Sequence, residues 1–159
     1  MNDELQITMR PVTPGDREFL LKVYASSREA ELAVLPWDEA MKRVFVEHQY
    51  GAQTAHYREA YPSATHDIVL TGGEPCGRLY VNRTEDEIAI LDINVLPEFR
   101  RRGIATQIIE ALKAEADGRS VRVYIETYNP SQKLFTELGF EPEAVEPDAV
   151  HILFRWQAH

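Results

Sequence analysis

Ile90-Leu91-Asp92-Ile93-Asn94-Val95-Leu96-Pro97-Glu98-Phe99-Arg100-Arg101-Arg102-Gly103-Ile104-Ala105 runs from an apolar strand, through a proline-marked loop, into an arginine-glycine helix start. Extended back to Ile88, the first part is an almost unbroken apolar run. Such strands are buried on both faces, which calls for helices on both sides of a sheet. After the loop, Ile104, Ile108 and Leu112, with Ala105 and Ile109 beside them, form the apolar stripe of a helix ending near Gly118. At the first turn of that helix up to four N–H groups lack intrahelical partners, and the helix dipole adds partial positive charge. An anion fits there. Gly103 and Ala105 keep side-chain bulk out of its approach, and Arg100, Arg101 and Arg102 add charge-assisted contacts. A solvated basic helix start is the competing reading, but it leaves the two small residues in register unexplained.

Working outward, Ile7 to Pro11 reads as a strand and Thr13-Pro14-Gly15-Asp16 as the turn that starts a helix. Phe19, Leu20, Val23 and Tyr24 give that helix its period to about Ala33, where Pro36-Trp37-Asp38 interrupts it. A second helix is predicted from Glu39 to Tyr61, with Met41, Val44, Phe45 and His48 on one side, a bend at Gly51 and an end at Pro62. Ile68 to Leu70 and Gly77 to Val81 are strands joined by the hairpin signal Thr71-Gly72-Gly73-Glu74-Pro75. Beyond the central helix follow a strand from Val121 to Ile125, a short helix from Ser131 to Leu138 leaving through Gly139-Phe140, and a last strand from Val150 to Trp156. The order fits an α/β class with one mixed sheet clad by helices on both faces. The 159 residues suffice for one domain, expected over 1–159, and are too few to divide comfortably.

A net charge of -9 argues against broad binding to nucleic acid or to an anionic membrane. Against that background a tight arginine cluster suits one small polyanion. The remaining acidity suits a cationic co-substrate. No apolar run reaches the length of a membrane span. The acidic start Met1-Asn2-Asp3-Glu4 lacks the features of a secretory signal, and Cys76 is the lone cysteine, so a cytoplasmic location is expected.

The chain contains neither Gly-x-x-x-x-Gly-Lys-Ser/Thr nor Gly-x-Gly-x-x-Gly, which excludes two familiar phosphate loops. Arg-x-x-Gly-x-Ala after Val95-Leu96-Pro97-Glu98 instead resembles the signature segment of the GNAT superfamily of N-acetyltransferases. Tyr128-Asn129-Pro130-Ser131 followed by Leu138-Gly139-Phe140 resembles the superfamily's later conserved segment. The likeness spans nearly the whole chain and is strongest from Ile90 to Phe140. It implies a GNAT-like fold in which the strand ending at Val95 splays from the strand beginning at Val121, with acetyl-coenzyme A in the gap. Backbone groups around Ile93 to Val95 would pair with pantetheine. The N–H groups of Arg102, Gly103, Ile104, Ala105 and Thr106 would hold the pyrophosphate, with Arg100 and Arg101 on its other oxygens. Asn129 would face the pantetheine or thioester. The implied activity is direct acetyl transfer to an amine, without a metal or a covalent intermediate. The acceptor is a small molecule or a protein, with antibiotic, polyamine, amino acid and protein amino terminus all open. A homodimer is left open as well.

One departure from the superfamily pattern stands at Phe135, where many members carry a tyrosine able to protonate the leaving thiolate; Tyr128 is the nearest substitute in sequence. Attack by a neutral amine needs a proton acceptor, and Asp92 and Glu126 are the carboxylates nearest the gap, with Glu87 a third candidate. Each has an ordinary reading too, as a paired buried carboxylate or a solvated strand end. Trp37 lines the acceptor pocket or packs in the core. His48 and His56 show no metal-ligand pattern, and Cys76 is an incidental thiol. The alternative to an enzyme is a module that binds an acyl-coenzyme A without turning it over.

Overall fold

The computed structural model describes residues 6–127, 129–143 and 150–158. Seven strands form a single mixed sheet in the order β1-β2-β3-β4-β5-β7-β6. They are β1 (Ile7–Pro11), β2 (Thr65–Thr71), β3 (Glu74–Arg83), β4 (Glu87–Val95), β5 (Ser120–Glu126), β6 (Glu141–Pro142) and β7 (His151–Gln157). All neighbours are antiparallel except β4 and β5. The helices are α1 (Arg17–Ser27), α2 (Glu29–Ala33), α3 (Glu39–Ala60), α4 (Ile104–Ala116) and α5 (Ser131–Glu137). A parallel pair needs a crossover, and α4 supplies it between β4 and β5.

Ile68 and Val69 are adjacent on β2, so they point to opposite faces of the sheet. Ile68 packs with Leu20, Tyr24, Val46 and Tyr50 of α1 and α3, whereas Val69 belongs to the larger cluster with Ile104, Ile108 and Leu112 of α4. Both faces are therefore covered, and a mixed sheet clad by helices is what the apolar strand predicted.

Three details differ from the sequence reading. The first helix breaks at Arg28 (φ -110, ψ 8), separating α1 from α2. The Ser26 and Ser27 hydroxyls donate to the Val23 and Tyr24 carbonyls, each at 2.6 Å. Such back-bonding competes with the helical ladder. In α3 the inward face carries Val46, Tyr50 and Thr54, while Met41 and Val44 are 51% and 67% exposed. Two apolar stripes compete on this helix, and contact with the sheet and α1 selects the second. α3 also runs through Gly51 without interruption, capped at its start by Asp38, whose side chain accepts from Met41 N–H at 2.8 Å. β6, which pairs Glu141 and Pro142 with Arg155 and Phe154, was not foreseen, because two residues carry no alternation.

Candidate functional site

The parallel ladder between β4 and β5 is short. It starts with Glu87 opposite Ser120 and stops at Ile90 opposite Val123, although β4 continues to Val95 and β5 to Glu126. From Leu91 to Val95 roughly 13 Å of strand edge therefore faces a gap, at about 3.3 Å per residue. On the other edge of β4, Leu96 N–H donates to Cys76 O at 2.8 Å. Strand alternation then turns the backbone groups of Ile93 and Val95 toward the gap. Gly77 allows β3 to lie this close, since a Cβ there would stand 2.3 Å from Asn94 O.

The apex of the gap is marked by a bulge. β3 pairs Tyr80 with Asp92 and Val81 with Ile90, leaving Leu91 unpaired. The Tyr57 hydroxyl, from α3, donates to Leu91 O at 2.8 Å and so ties that helix to the bulge. Burial, and then the charge of Asp92, push this phenol well above its usual range, so it stays a donor at all working pH values.

At the wide end stands the start of α4. Arg100 is extended, Arg101 has φ 64 and Gly103 φ 83. A Cβ on Gly103 would meet no protein atom within 4 Å, so its left-handed backbone is what calls for glycine there. Gln107 N–H donates to Gly103 O at 3.0 Å, and the N–H groups of Ile104, Ala105 and Thr106 precede the first such bond. Arg100 Nε donates to Val95 O at 3.0 Å, which engages one of the carbonyls expected to face pantetheine. Arg102 donates to Glu98 O at 3.2 Å and lies over the Phe99 ring at 5.2 Å. Among the described residues no hydrogen bond or ion pair engages the Arg101 side chain.

Between apex and mouth is a cavity of about 490 Å³ lined by Asp92, Ile93, Glu126, Asn129 and Phe135, with α3 contributing Tyr57. Asn129 Oδ1 accepts from Ser131 N–H at 2.8 Å, so this side chain also caps α5. Phe135 is 2% exposed and packs edge-on against Phe140 at 5.1 Å. Tyr128 lies outside the described residues, as do Met1 to Glu4. Trp37 packs edge-on against Phe45 at 5.4 Å and does not line this cavity.

The acidic candidates separate. Glu87 sits at the closed end of the ladder, paired with Arg122 at 2.5 Å and with Arg155 at 3.5 Å, away from the cavity lining. Asp92 accepts from Arg78 Nη1 at 2.9 Å on one oxygen and from Asn94 Nδ2 at 2.6 Å on the other. Glu126 lies 3.3 Å from Arg28 Nη1, and Arg28 also pairs with Glu31 at 3.0 Å. Arg28 reaches the cavity because the α1–α2 break turns the chain there.

Sequence reasoning missed Arg78, His66 and Gln53, which stand behind Asp92. Arg78 Nε donates to His66 Nε2 and Nη1 to Gln53 Oε1, both at 2.8 Å. Burial first, then Arg78 and Arg58, lower the His66 pKa to about 3, so this imidazole is neutral. A lone arginine inside the apolar run Cys76 to Val81, one strand away from a lone aspartate, was the available signal. Among the described residues no cluster suits a metal ion, and no helix is long and apolar enough to cross a membrane.

A strand pair that opens at its carboxyl ends, with an arginine-rich helix start at the mouth, is accompanied by a match of the acetyltransferase (GNAT) family model to residues 28–140. The chain belongs to this family. As a GNAT acetyltransferase it is an acyltransferase, and acetyl-coenzyme A is the family's acetyl donor. A PaiA N-acetyltransferase from Thermoplasma acidophilum, solved in complex with coenzyme A, superimposes with a TM-score of 0.69 at 15% identity over 96% of this chain and 99% of that one. An acetyltransferase from Thermus thermophilus does so with 0.68 at 19% identity, over 97% and 98%. Ard1 from Thermoplasma volcanium gives 0.61 at 16%, over 96% and 98%. At such identities the likeness to these structures is one of fold. No curated protein matches the sequence.

Proposed function

We propose that this GNAT acetyltransferase moves the acetyl group of acetyl-coenzyme A directly to an amine, a small molecule or a protein amino group, with the whole chain acting as one domain. The observation that carries the reading is the unpaired edge of β4 beyond Ile90, open to a cavity at one end and to the α4 start at the other. The residues present fit the donor. Ile93 and Val95 offer backbone groups to an extended amide-bearing arm, as an added strand would take them. The N–H groups of Arg102 to Thr106, with Arg101 and Arg100 beside them, fit a pyrophosphate. Asn129 would meet the arm from the β5 side. Acetyl-coenzyme A supplies the activated acyl group.

The protein's contribution is alignment and proton removal. Asp92 and Glu126 flank the cavity where an amine would meet the gap. Both oxygens of Asp92 are engaged, whereas among the described residues the Glu126 carboxylate has Arg28 as its one ion-pair partner. That difference favours Glu126 as the proton acceptor, through water. A cytoplasmic setting accords with the buried free thiol of Cys76. A homodimer is the assembly to test, by light scattering.

Coenzyme A release measured over a panel of amines tests the function. Glu126→Gln should lower turnover on the order of a hundredfold and leave the affinity for acetyl-coenzyme A nearly unchanged. No release with any amine, in protein that binds acetyl-coenzyme A, would leave a binding module in place of an enzyme.

A further inference from the structure

Among the described residues Arg78 is the one buried side chain that carries a full positive charge, and it is 1% exposed. The guanidinium does not lose its proton in proteins. It lies between the rings of Tyr50 and Tyr80, 5.3 Å and 5.5 Å from their centroids, with neutral His66 and Gln53 on two of its nitrogens. Among the described residues Asp92 is its sole ion-pair partner. Nη2 is buried without a hydrogen bond, so the group is held by its clamp of rings and acceptors, with no alternative carboxylate to move to.

This has a consequence for Asp92, which crosses from the buried side to the cavity wall at 15% exposure. Asp92 is thus the counter-charge of a buried cation, and its removal alone would leave Arg78 unpaired, the costly half of a broken buried pair. Glu126 has a less confined partner: Arg28 is 23% exposed and also holds Glu31. The two carboxylates of one cavity are therefore built for different work.

We propose that Arg78 is a positioning residue for the transfer: it holds the Asp92 carboxylate at the cavity wall, where it seats the ammonium form of the acceptor, leaving proton removal to Glu126. The proposal rests on the acetyltransferase reading above. It assigns the acceptor to cationic alkylamines, entering between Asp92, Glu126 and the tyrosines that α3 and β5 contribute to the wall, Tyr57, Tyr61 and Tyr124. Tyr61 lies next beyond the end of α3.

The test uses n-butylamine as the probe. Its KM and kcat are measured at saturating acetyl-coenzyme A, and butylammonium binding to the protein saturated with coenzyme A is followed by NMR titration. Arg78→Lys keeps the charge and loses the fork, so with Asp92 intact KM should rise several-fold while kcat and coenzyme A affinity change little. The double variant Arg78→Met/Asp92→Asn removes both buried charges together, a change that proteins tolerate far better than loss of one. It should remain folded, with KM and butylammonium dissociation constant raised at least about tenfold. Glu126→Gln should do the reverse, lowering kcat on the order of a hundredfold with KM retained. A double variant whose butylammonium affinity stays within twofold of wild type overturns the proposal, and so does a double variant whose kcat falls as far as that of Glu126→Gln, which would make Asp92 the base. Wild-type protein that binds butylammonium but turns over no amine of the panel refutes the acetyltransferase reading and leaves the binding arm to judge Arg78. Wild-type protein that does not bind it refutes the cation seat.

Discussion

The pairing of His66 with Arg78 makes stability depend on pH through an imidazole that the fold holds neutral. In the unfolded chain His66 takes its ordinary value of 6.5; in the fold burial, Arg78 and Arg58 lower it to about 3. Between those values the unfolded state binds more protons, so stability rises with pH and is lost as pH falls. The contribution is complete above 6.5 and declines by up to about 1.4 kcal/mol per pH unit below it. At pH 5 the loss should reach roughly 2 kcal/mol, a large share of the 5–15 kcal/mol typical of a domain. Asp16, whose carboxyl Arg10 and Thr13 hold below its ordinary value of 3.8, adds its own loss at lower pH. Asp67, raised by burial, acts in the opposite sense around its carboxylate range. Both are common to a His66→Gln variant, whose amide oxygen can still accept from Arg78 Nε. Urea unfolding of the two proteins at pH 7.5, 6 and 5 therefore isolates the imidazole. The difference in unfolding free energy between them should shift by about 2 kcal/mol between the end points. Parallel curves would mean that His66 takes a proton in the fold as readily as outside it, and that its neutral pairing with Arg78 is wrong.

Three further outcomes follow from single positions. Gly77→Ala should lower stability by about 1–3 kcal/mol in thermal melting, because its Cβ would meet Asn94 O at 2.3 Å and the Val95 Cα at 3.2 Å, neither of which can yield without moving β4; an unchanged melting temperature would refute the close approach. Gly103→Glu should abolish acetyl-coenzyme A binding in calorimetry while the domain stays folded at a cost of about 1–2 kcal/mol for its left-handed backbone, since the new side chain meets open space but brings a carboxylate to the phosphate position. Unchanged affinity would remove the α4 start as the site. Phe135→Tyr should retain turnover, because the ring borders the cavity and its edge-on packing with Phe140 can persist; a large fall with the fold intact would show that an apolar ring is required there.

The fold class and the family were legible in the sequence because they rest on local signals. The apolar run to Val95, the arginines, Gly103 and the helical stripe that follows are contiguous, and their physics is that of one strand end and one helix start. The strand bounds of β1 and the splay of β4 from β5 came out as expected. What the sequence left open is decided across the chain. Asp92 and Glu126 read alike along the sequence, yet one faces a buried guanidinium from β3 and the other a partly exposed one from the α1–α2 break. Glu87, the third candidate, is placed by the register at the closed end of the ladder. The inward face of α3, the break at Arg28 and the bulge at Leu91 likewise depend on which surfaces meet. A helix start carries its unsatisfied N–H groups wherever it lies, so sequence alone can nominate an anion site. A carboxylate takes its role from the charges around it, and those arrive from strands and helices distant in sequence, brought together by packing alone.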